Sequence, residues 1–382
     1  MSAICTATSV HWSNERAIDD VLAAVSADTN ELSVVFCSAR RDLAEISDYI
    51  AANWPVENIV GCSSAGEITP EGYLSGAITA VGFPKQQFNA VVARIDNVRE
   101  LALVAVTRAV QTVRAALARK VESFNPSNCF AILLVDGTVS CEEKLIAALG
   151  ADLRGIQLVG GSAANDWTVG SAQGSSSASV LQHGRFRENC AVLIIMQTAL
   201  PWRITSHNHY VPTKRKAVIT SAKPDERLVV EIDGKPAVPT YARLCGMSRR
   251  PAAALDFSAH PAMIHMSNQW FPRGILGLNR DDSIKFGCAI ERGLVVAVGR
   301  PLNMPEKLHS AFAAIRAQIG PPVLTLGFDC AARMFYMNQN GLRTKISEMM
   351  QQNRVVGMST IGEQYNTIHQ NNSFTALTIG RA

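Results

Sequence analysis

Three serines stand in nearly the same local phrase: Ser63 in "VGCSSAGEI", Ser162 in "VGGSAANDW" and Ser359 in "VGMSTIGEQ". Aligned, the phrases put Gly61, Gly160 and Gly357 two residues before the serine and an acid, Glu67, Asp166 or Glu363, four residues after it. Glycine permits positive φ and close approach of another group, and serine can bond locally to the backbone or reach a ligand. The pattern could therefore be a nucleophilic turn, a ligand-lining loop or a structural bend. Nucleophilic chemistry fits least. "GCSSAG" does not have the G-x-S-x-G spacing of a nucleophile elbow, and no G-x-x-x-x-G-K-[ST] phosphate loop occurs. A catalytic serine needs one nearby base, and three equivalent copies do not single out one nucleophile. The phrases read first as a structural turn and second as a lining for a ligand, through Ser63, Ser162, Ser359 and Glu363. The expectation is a binding protein, not an enzyme.

Imidazoles and thiols are the other reactive groups. Eight histidines occur. In "SHNHY", His207 and His209 would lie on one side of a strand at a spacing a metal could use, though no third ligand is visible. His260 precedes Pro261, which biases it to extended backbone. His369 follows the third phrase in "GEQYNTIHQNNSF", among amides able to hold one imidazole nitrogen. The nine cysteines form no C-x-x-C pair, and most lie in apolar, strand-like runs. Buried reduced thiols in a cytoplasmic protein fit that pattern. Cys245, near Arg243 and Arg249, is the one cysteine with a positive neighbourhood that could favour a thiolate.

The elements that must position these residues repeat as well. Each phrase follows an apolar run and then a segment of helical period: "LSVVFCSA", "CFAILLVDG" and "VLTLGFDC" are the runs. Strand, helix and strand at this spacing predict crossover units with parallel strands. Strand-like runs follow each phrase. In the last helix Leu342, Ile346 and Met349 fall on one face. Pro305 stands in the first turn of a helix with Leu308, Phe312, Ile315 and Ile319 on one face. Asp233-Gly234 is a hairpin signal. The second phrase starts 99 residues after the first and the third 197 after the second. That is nearly one period and then two, so a degenerate copy is expected in between. The fold class is α/β, with repeated β-α-β units and mixed sheets. The chain splits near residue 200, and its modules are expected to surround an apolar hollow that holds a guest molecule.

Composition sets bounds. The chain has 382 residues, 47% hydrophobic and 18% charged, with a net charge of +4. That suits a globular protein with a sizeable core. The small positive excess is spread out and argues for neither nucleic acid nor membrane. No signal peptide is legible at the N-terminus, and no apolar run approaches the roughly 20 residues that span a bilayer.

The three phrases, with "VEIDGKPAVPTYARL", "SIKFGCAIERG" and the ending "VGMSTIGEQYNTIHQNNSFTALTIG", resemble the FIST sensory family across most of the chain. The resemblance implies two FIST-like halves, an N-domain over residues 1–200 and a C-domain over 201–382. It also implies a small-ligand sensing module; some members are proposed to bind amino acids. "GFDCAARMF" and "GEQYN-x-x-H" are closer to the NosP-type nitric-oxide-sensing haemoproteins. That subgroup's H-x-N-x-T ending becomes here His369, Asn371 and Ser373, with serine in place of threonine. What this implies is bound haem b, nitric oxide as the gas ligand, and regulation of a partner histidine kinase in trans, in two-component, cyclic-di-GMP and biofilm signalling. Covalent haem is excluded, since no C-x-x-C-H occurs. On this resemblance His260 is the first choice for the haem iron, His369 the second, and Arg273 a partner for a propionate. The alternative is a FIST-type sensor of an amino acid or metabolite without haem. With no kinase or cyclase motif, output is expected through another protein. A homodimer through exposed sheet edges is compatible with the pattern.

Overall fold

A computed structural model describes residues 3–165, 178–248, 257–266 and 268–381. The chain repeats one strand–helix order three times. The first module comprises β1 (Cys5–Ser9), α1 (Asn14–Ala24), β2 (Asn30–Ser38), α2 (Leu43–Asn53), β3 (Ile59–Ser64), β4 (Glu67–Thr69), β5 (Gly72–Leu74) and β6 (Ile78–Pro84). The second comprises β7 (Phe88–Asp96), α3 (Leu103–Lys120), β8 (Cys129–Asp136), α4 (Glu142–Leu153), β9 (Gln157–Ala163), β10 (Val180–Gln182), β11 (Arg185–Arg187) and β12 (Cys190–Thr198).

The third module is interrupted. After β13 (Trp202–His207) comes an insertion: β14 (Tyr210–Lys223), β15 (Leu228–Ile232), β16 (Lys235–Pro236), α5 (Ala237–Leu244), β17 (Ala262–Met266), β18 (Gln269–Arg273), β19 (Ile275–Leu278), β20 (Ile284–Phe286) and β21 (Val295–Pro301). The module then resumes with α6 (Met304–Ile319), β22 (Pro322–Cys330), α7 (Ala331–Gln339), α8 (Arg343–Gln352), β23 (Val355–Thr360), β24 (Glu363–Tyr365), β25 (Ile368–Gln370) and β26 (Phe374–Gly380). The insertion forms its own sheet, and its pairings among the described residues are antiparallel. It carries no crossover unit, so the doubled spacing reflects an insertion and not a degenerate fourth copy. The expected division at residue 200 falls between β12 and β13, which belong to different sheets.

Each module builds a mixed sheet with one parallel pair: β2/β3, β8/β9 and β22/β23. Each sheet is completed by a hairpin from another module. The orders are β1-β6-β2-β3-β10-β11, β7-β12-β8-β9-β24-β25 and β13-β26-β22-β23-β4-β5. The first module lends its hairpin to the third sheet, the second to the first, and the third to the second. The exchange closes on itself.

Strand alternation divides the core. Val34 and Phe36 of β2 face a shared centre, while Val35 and Cys37 pack under α1 and α2. Ile132 and Leu134 of β8 face the same centre, with Leu133 and Val135 under α3 and α4. At that centre Phe36 meets Phe328 edge to face, and the Cys62 sulfur lies 3.2 Å from the Met358 sulfur. The expected apolar hollow is therefore filled by side chains.

Local signals place several helices as the sequence predicts. Asn303 caps α6 by accepting from the Glu306 amide, Pro305 lies in the first turn, and Leu308, Phe312, Ile315 and Ile319 are buried. In α8 Ile346 is buried as expected and Leu342 stands at the cap, but the fully buried methionine is Met350, with the expected Met349 only partly buried beside it. His209 lies beyond the end of β13, so it does not share a strand face with His207. Asp233 and Gly234 both have positive φ and form the expected tight hairpin between β15 and β16.

Candidate functional site

The glycine of each phrase is required by close approach, not by positive φ. A Cβ on Gly61 would lie 1.8 Å from the Val35 carbonyl oxygen, one on Gly160 2.0 Å from that of Leu133, and one on Gly357 1.8 Å from that of Gly327. The serines then join the modules. The amide of the residue two after each serine donates to the serine carbonyl of another module: Ala164 to Ser63 (3.2 Å), Ile361 to Ser162 (3.4 Å) and Ala65 to Ser359 (3.2 Å). These three bonds form a closed ring. The phrases are the joint that locks the exchange.

The acids of the first and third phrases bond locally. Glu67 accepts from Ser64 Oγ (2.5 Å) and the Ala77 amide (3.0 Å). Glu363 accepts from Thr360 Oγ1, Ser373 Oγ and the Ser373 amide. Asp166 lies outside the described residues. The position opposite the turn in the second module's hairpin is Val180: it pairs with Cys62 as Glu67 pairs with Met358 and Glu363 with Gly161.

A narrow cleft, with about 20 Å³ of free space between its walls, opens at the carboxyl ends of β22 and β23, beneath the inserted sheet. Its walls are Phe257, Ser258, Pro261 and Gly274–Leu276 from the insertion, and Cys330–Ala332, Thr360, Ile361, Asn371 and Asn372 from the third module. Ligands of open α/β sheets favour this end of parallel strands; as the walls stand, the free space holds about one water, so a larger ligand must part them. Asn371 ties the two walls together. Its Oδ1 accepts from the Gly274 amide (3.2 Å) and the Cys288 thiol (2.8 Å), and its Nδ2 donates to the Ile361 carbonyl (2.9 Å).

Beside the cleft lies a buried polar network over the second sheet. Ser162 Oγ contacts Glu142 Oε1 at 3.1 Å and accepts from Gln364 Nε2 at 2.9 Å. Gln364 Nε2 is 3.3 Å from His369 Nδ1, and His369 Nε2 is 3.9 Å from Glu142 Oε1. Arg227 bridges Glu142 (2.6 Å), Glu143 and the Gly287 carbonyl. Burial holds the His369 imidazole below its ordinary range against the pull of Glu142 and Glu143, so the ring is neutral.

The structure brings His369 and Arg273 together, but through the main chain: Arg273 Nη1 donates to the His369 carbonyl at 3.1 Å. His260 stands apart from them, between the cleft-lining Ser258 and Pro261, with Nδ1 3.3 Å from the Gly299 carbonyl. Ser63, Ser162, Ser359 and Glu363, expected to line a ligand, are buried in the joint; their neighbours Thr360 and Ile361 line the cleft instead. Glu142, Glu143, Arg227 and Cys288 were not singled out from the sequence. Paired acids in the first turn of α4 and a lone arginine beside "LVVEI" are the only local signals. Cys245 is no thiolate: burial pushes it up to about 12, with Arg215 opposing, and Arg249 lies outside the described residues.

Haem can be tested against these surroundings. At His369 the residues do not fit a macrocycle. A Cβ on Gly362 would sit 2.3 Å from the ring's Cε1, and Nε2 faces the Glu142 carboxylate. At His260 the donor fits one axial bond: a carbonyl holds Nδ1, which leaves Nε2 for a metal.

The FIST N domain pattern matches residues 31–235 and the FIST C domain pattern residues 237–366. The chain belongs to the FIST family. FIST domains are sensory modules of signal transduction. This FIST protein is similar to the uncharacterized protein MJ1623 of Methanocaldococcus jannaschii, with 23% identity over 204 residues, 53% of this chain. The match spans 38% of that relative's length. A cyanuric acid hydrolase structure from A. caulinodans aligns over 100% of this chain and 99% of its own at 9% identity, with a TM-score of 0.37. Among the described residues no helix is long and apolar enough to cross a membrane.

Proposed function

We propose that this FIST protein senses a small ligand bound in the cleft between the inserted sheet and the third module. The observation that carries the reading is the two-walled cleft spanned by Asn371. A ligand held there touches both walls, so its binding energy depends on their relative position, and that dependence is what a partner can read. The ligand class favoured by the lining is amphipathic, with Ile275, Leu276, Ile361 and Phe257 beside the Asn371 and Asn372 amides. No catalytic role is assigned. Output passes to a partner protein, and the proposal names a histidine kinase acting in trans. A cytoplasmic location and a homodimer belong to the same proposal.

Haem b is the specific version of this reading, and His260 is the residue that supports it. Its Nε2 has no hydrogen-bond partner among the described residues and its sequence neighbours Ser258 and Pro261 line the cleft, while Arg273 is already engaged with β25. Bound haem would supply an iron able to take nitric oxide, as in NosP-type sensors. Titrating the purified chain with haem and recording absorption tests the reading. Expected is a Soret band that shifts on reduction and on nitric oxide, is lost in His260→Ala and is kept in His369→Ala. A chain that gains no band is instead screened with amino acids by thermal shift. An Ala332→Trp variant, which fills the cleft, must then abolish any stabilisation. Stabilisation that survives this variant places the ligand elsewhere and overturns the cleft.

A further inference from the structure

We propose that Glu143, Cys288 and His369 form a mononuclear site for a divalent transition-metal ion of the zinc type. One ligand atom from each lies within 4.8 Å of the others. Carboxylate, thiolate and imidazole are the zinc donor set. Cys288 and His369 are buried, while Glu143 lines a solvent cleft of about 490 Å³ that it shares with Arg227 and Ala289. An ion therefore has a route in. Bond lengths of about 2.0–2.3 Å put tetrahedral donors under about 4 Å apart, so the three must close by about 1 Å.

An independent observation points to a ligand here. His369 Nε2 is buried and has no hydrogen-bond partner among the described residues. So has Gln364 Oε1, the other end of the amide that contacts His369 Nδ1. Turning that amide over lets Oε1 accept from Nδ1–H, with the Ser162 hydroxyl swinging from Glu142 to donate to the same oxygen, and frees the Nε2 lone pair for an ion. The threefold repeat shows that the cluster is not demanded by the fold. The residue equivalent to His369 is Tyr73 in the first module's hairpin and Phe186 in the second's, by the same strand register. Phe186 packs in an apolar cluster.

Binding replaces the Cys288 S–H bond by a sulfur–metal bond, and the proton leaves to solvent. The ion's fourth position, open toward the cleft, is taken by water. This site does not depend on the sensory reading above.

Cobalt(II) titration of the untagged, chelator-stripped chain tests it. Expected are one equivalent bound, a sulfur-to-cobalt charge-transfer band in the near ultraviolet, and displacement of that band by Zn2+. Cys288→Ala loses the band. Glu143→Gln and His369→Gln weaken binding at least about tenfold. A wild-type chain without a cobalt–sulfur band overturns the site, and this arm requires no variant to fold. Retention of the band in folded Cys288→Ala assigns the sulfur to another cysteine and overturns it equally.

Discussion

Asn371 donates from Nδ2 to the carbonyl oxygen of Ile361 at 2.9 Å, across the floor of the cleft. The same side chain accepts from Gly274 of the inserted sheet. Neither Gly274 nor Gly287 has room for a Cβ: one on Gly274 would meet Asn372 Oδ1 at 2.8 Å, and one on Gly287 would meet Asn371 Oδ1 at 2.7 Å. One amide thus spans the insertion and the ring of modules.

Replacing that amide leaves a backbone N–H and a backbone C=O without partners. Asn371→Ala is expected to cost about 1–3 kcal/mol in urea unfolding. It should also weaken ligand binding, because the walls lose their tie. A variant as stable as wild type would show that Asn371 is not the strut.

The turn glycines give a sharper test. Gly61→Ala, Gly160→Ala and Gly357→Ala each drive a methyl into a neighbouring strand's carbonyl. Backbone cannot yield by that much in a parallel pair, so each is expected to cost more than about 4 kcal/mol or to prevent folding. Gly155→Asn is the contrast: Gly155 has φ +90 with open space around its Cβ position. Recovery of soluble protein and its melting temperature separate the two classes. Three tolerated alanines would remove close approach as the reason for the repeated phrase.

The phrase was legible because it is written three times, although its cause is not local: the glycine meets a carbonyl of the neighbouring parallel strand and the serine carbonyl accepts from another module. The α6 helix was legible from local signals, through Pro305 and its apolar face. The exchange of hairpins was not. β4, β5, β10, β11, β24 and β25 have three residues each, too few for a period, and their partners lie in other modules. Glu67 and Glu363 hold equivalent positions as the alignment of the phrases suggests, but in the second hairpin that position is Val180, which the alignment did not reach. His369 could be suspected from its amide-rich surroundings. Its real neighbours, Glu142, Glu143, Arg227 and Cys288, come from α4 and the insertion and meet only in three dimensions.

One exchanged hairpin is anchored by a buried ion pair. Arg333 donates to Asp329, and the Tyr73 hydroxyl of β5 donates to the same carboxylate. Arg333 and Asp329 are 2% and 1% exposed, so removing one strands the other. Arg333→Met is expected to cost about 3–5 kcal/mol, and the double variant with Asp329→Asn less than the sum of the singles. Additive losses in a double-mutant cycle would mean the two groups do not act as a pair.

Stability should depend on pH in two opposed ways. Burial lifts Glu363 from 4.5 to about 8 and Glu67 to about 7, despite the hydrogen bonds each accepts. The native chain binds these protons more tightly than the unfolded chain. Their contribution is therefore complete below about pH 4.5 and is lost as pH rises through 7 to 8. Burial, aided by Arg333, lowers His207 to about 4 and His209 to about 2. Here the unfolded chain binds the proton more tightly, so stability is lost as pH falls below 6.5. Wild type should be most stable in mildly acidic solution. Glu363→Gln keeps the shape and removes the largest alkaline loss, so its stability relative to wild type should rise between pH 5 and 9 by on the order of a few kcal/mol. Urea unfolding across that range reads the difference directly, and a difference that stays constant with pH would show that Glu363 is ionised throughout.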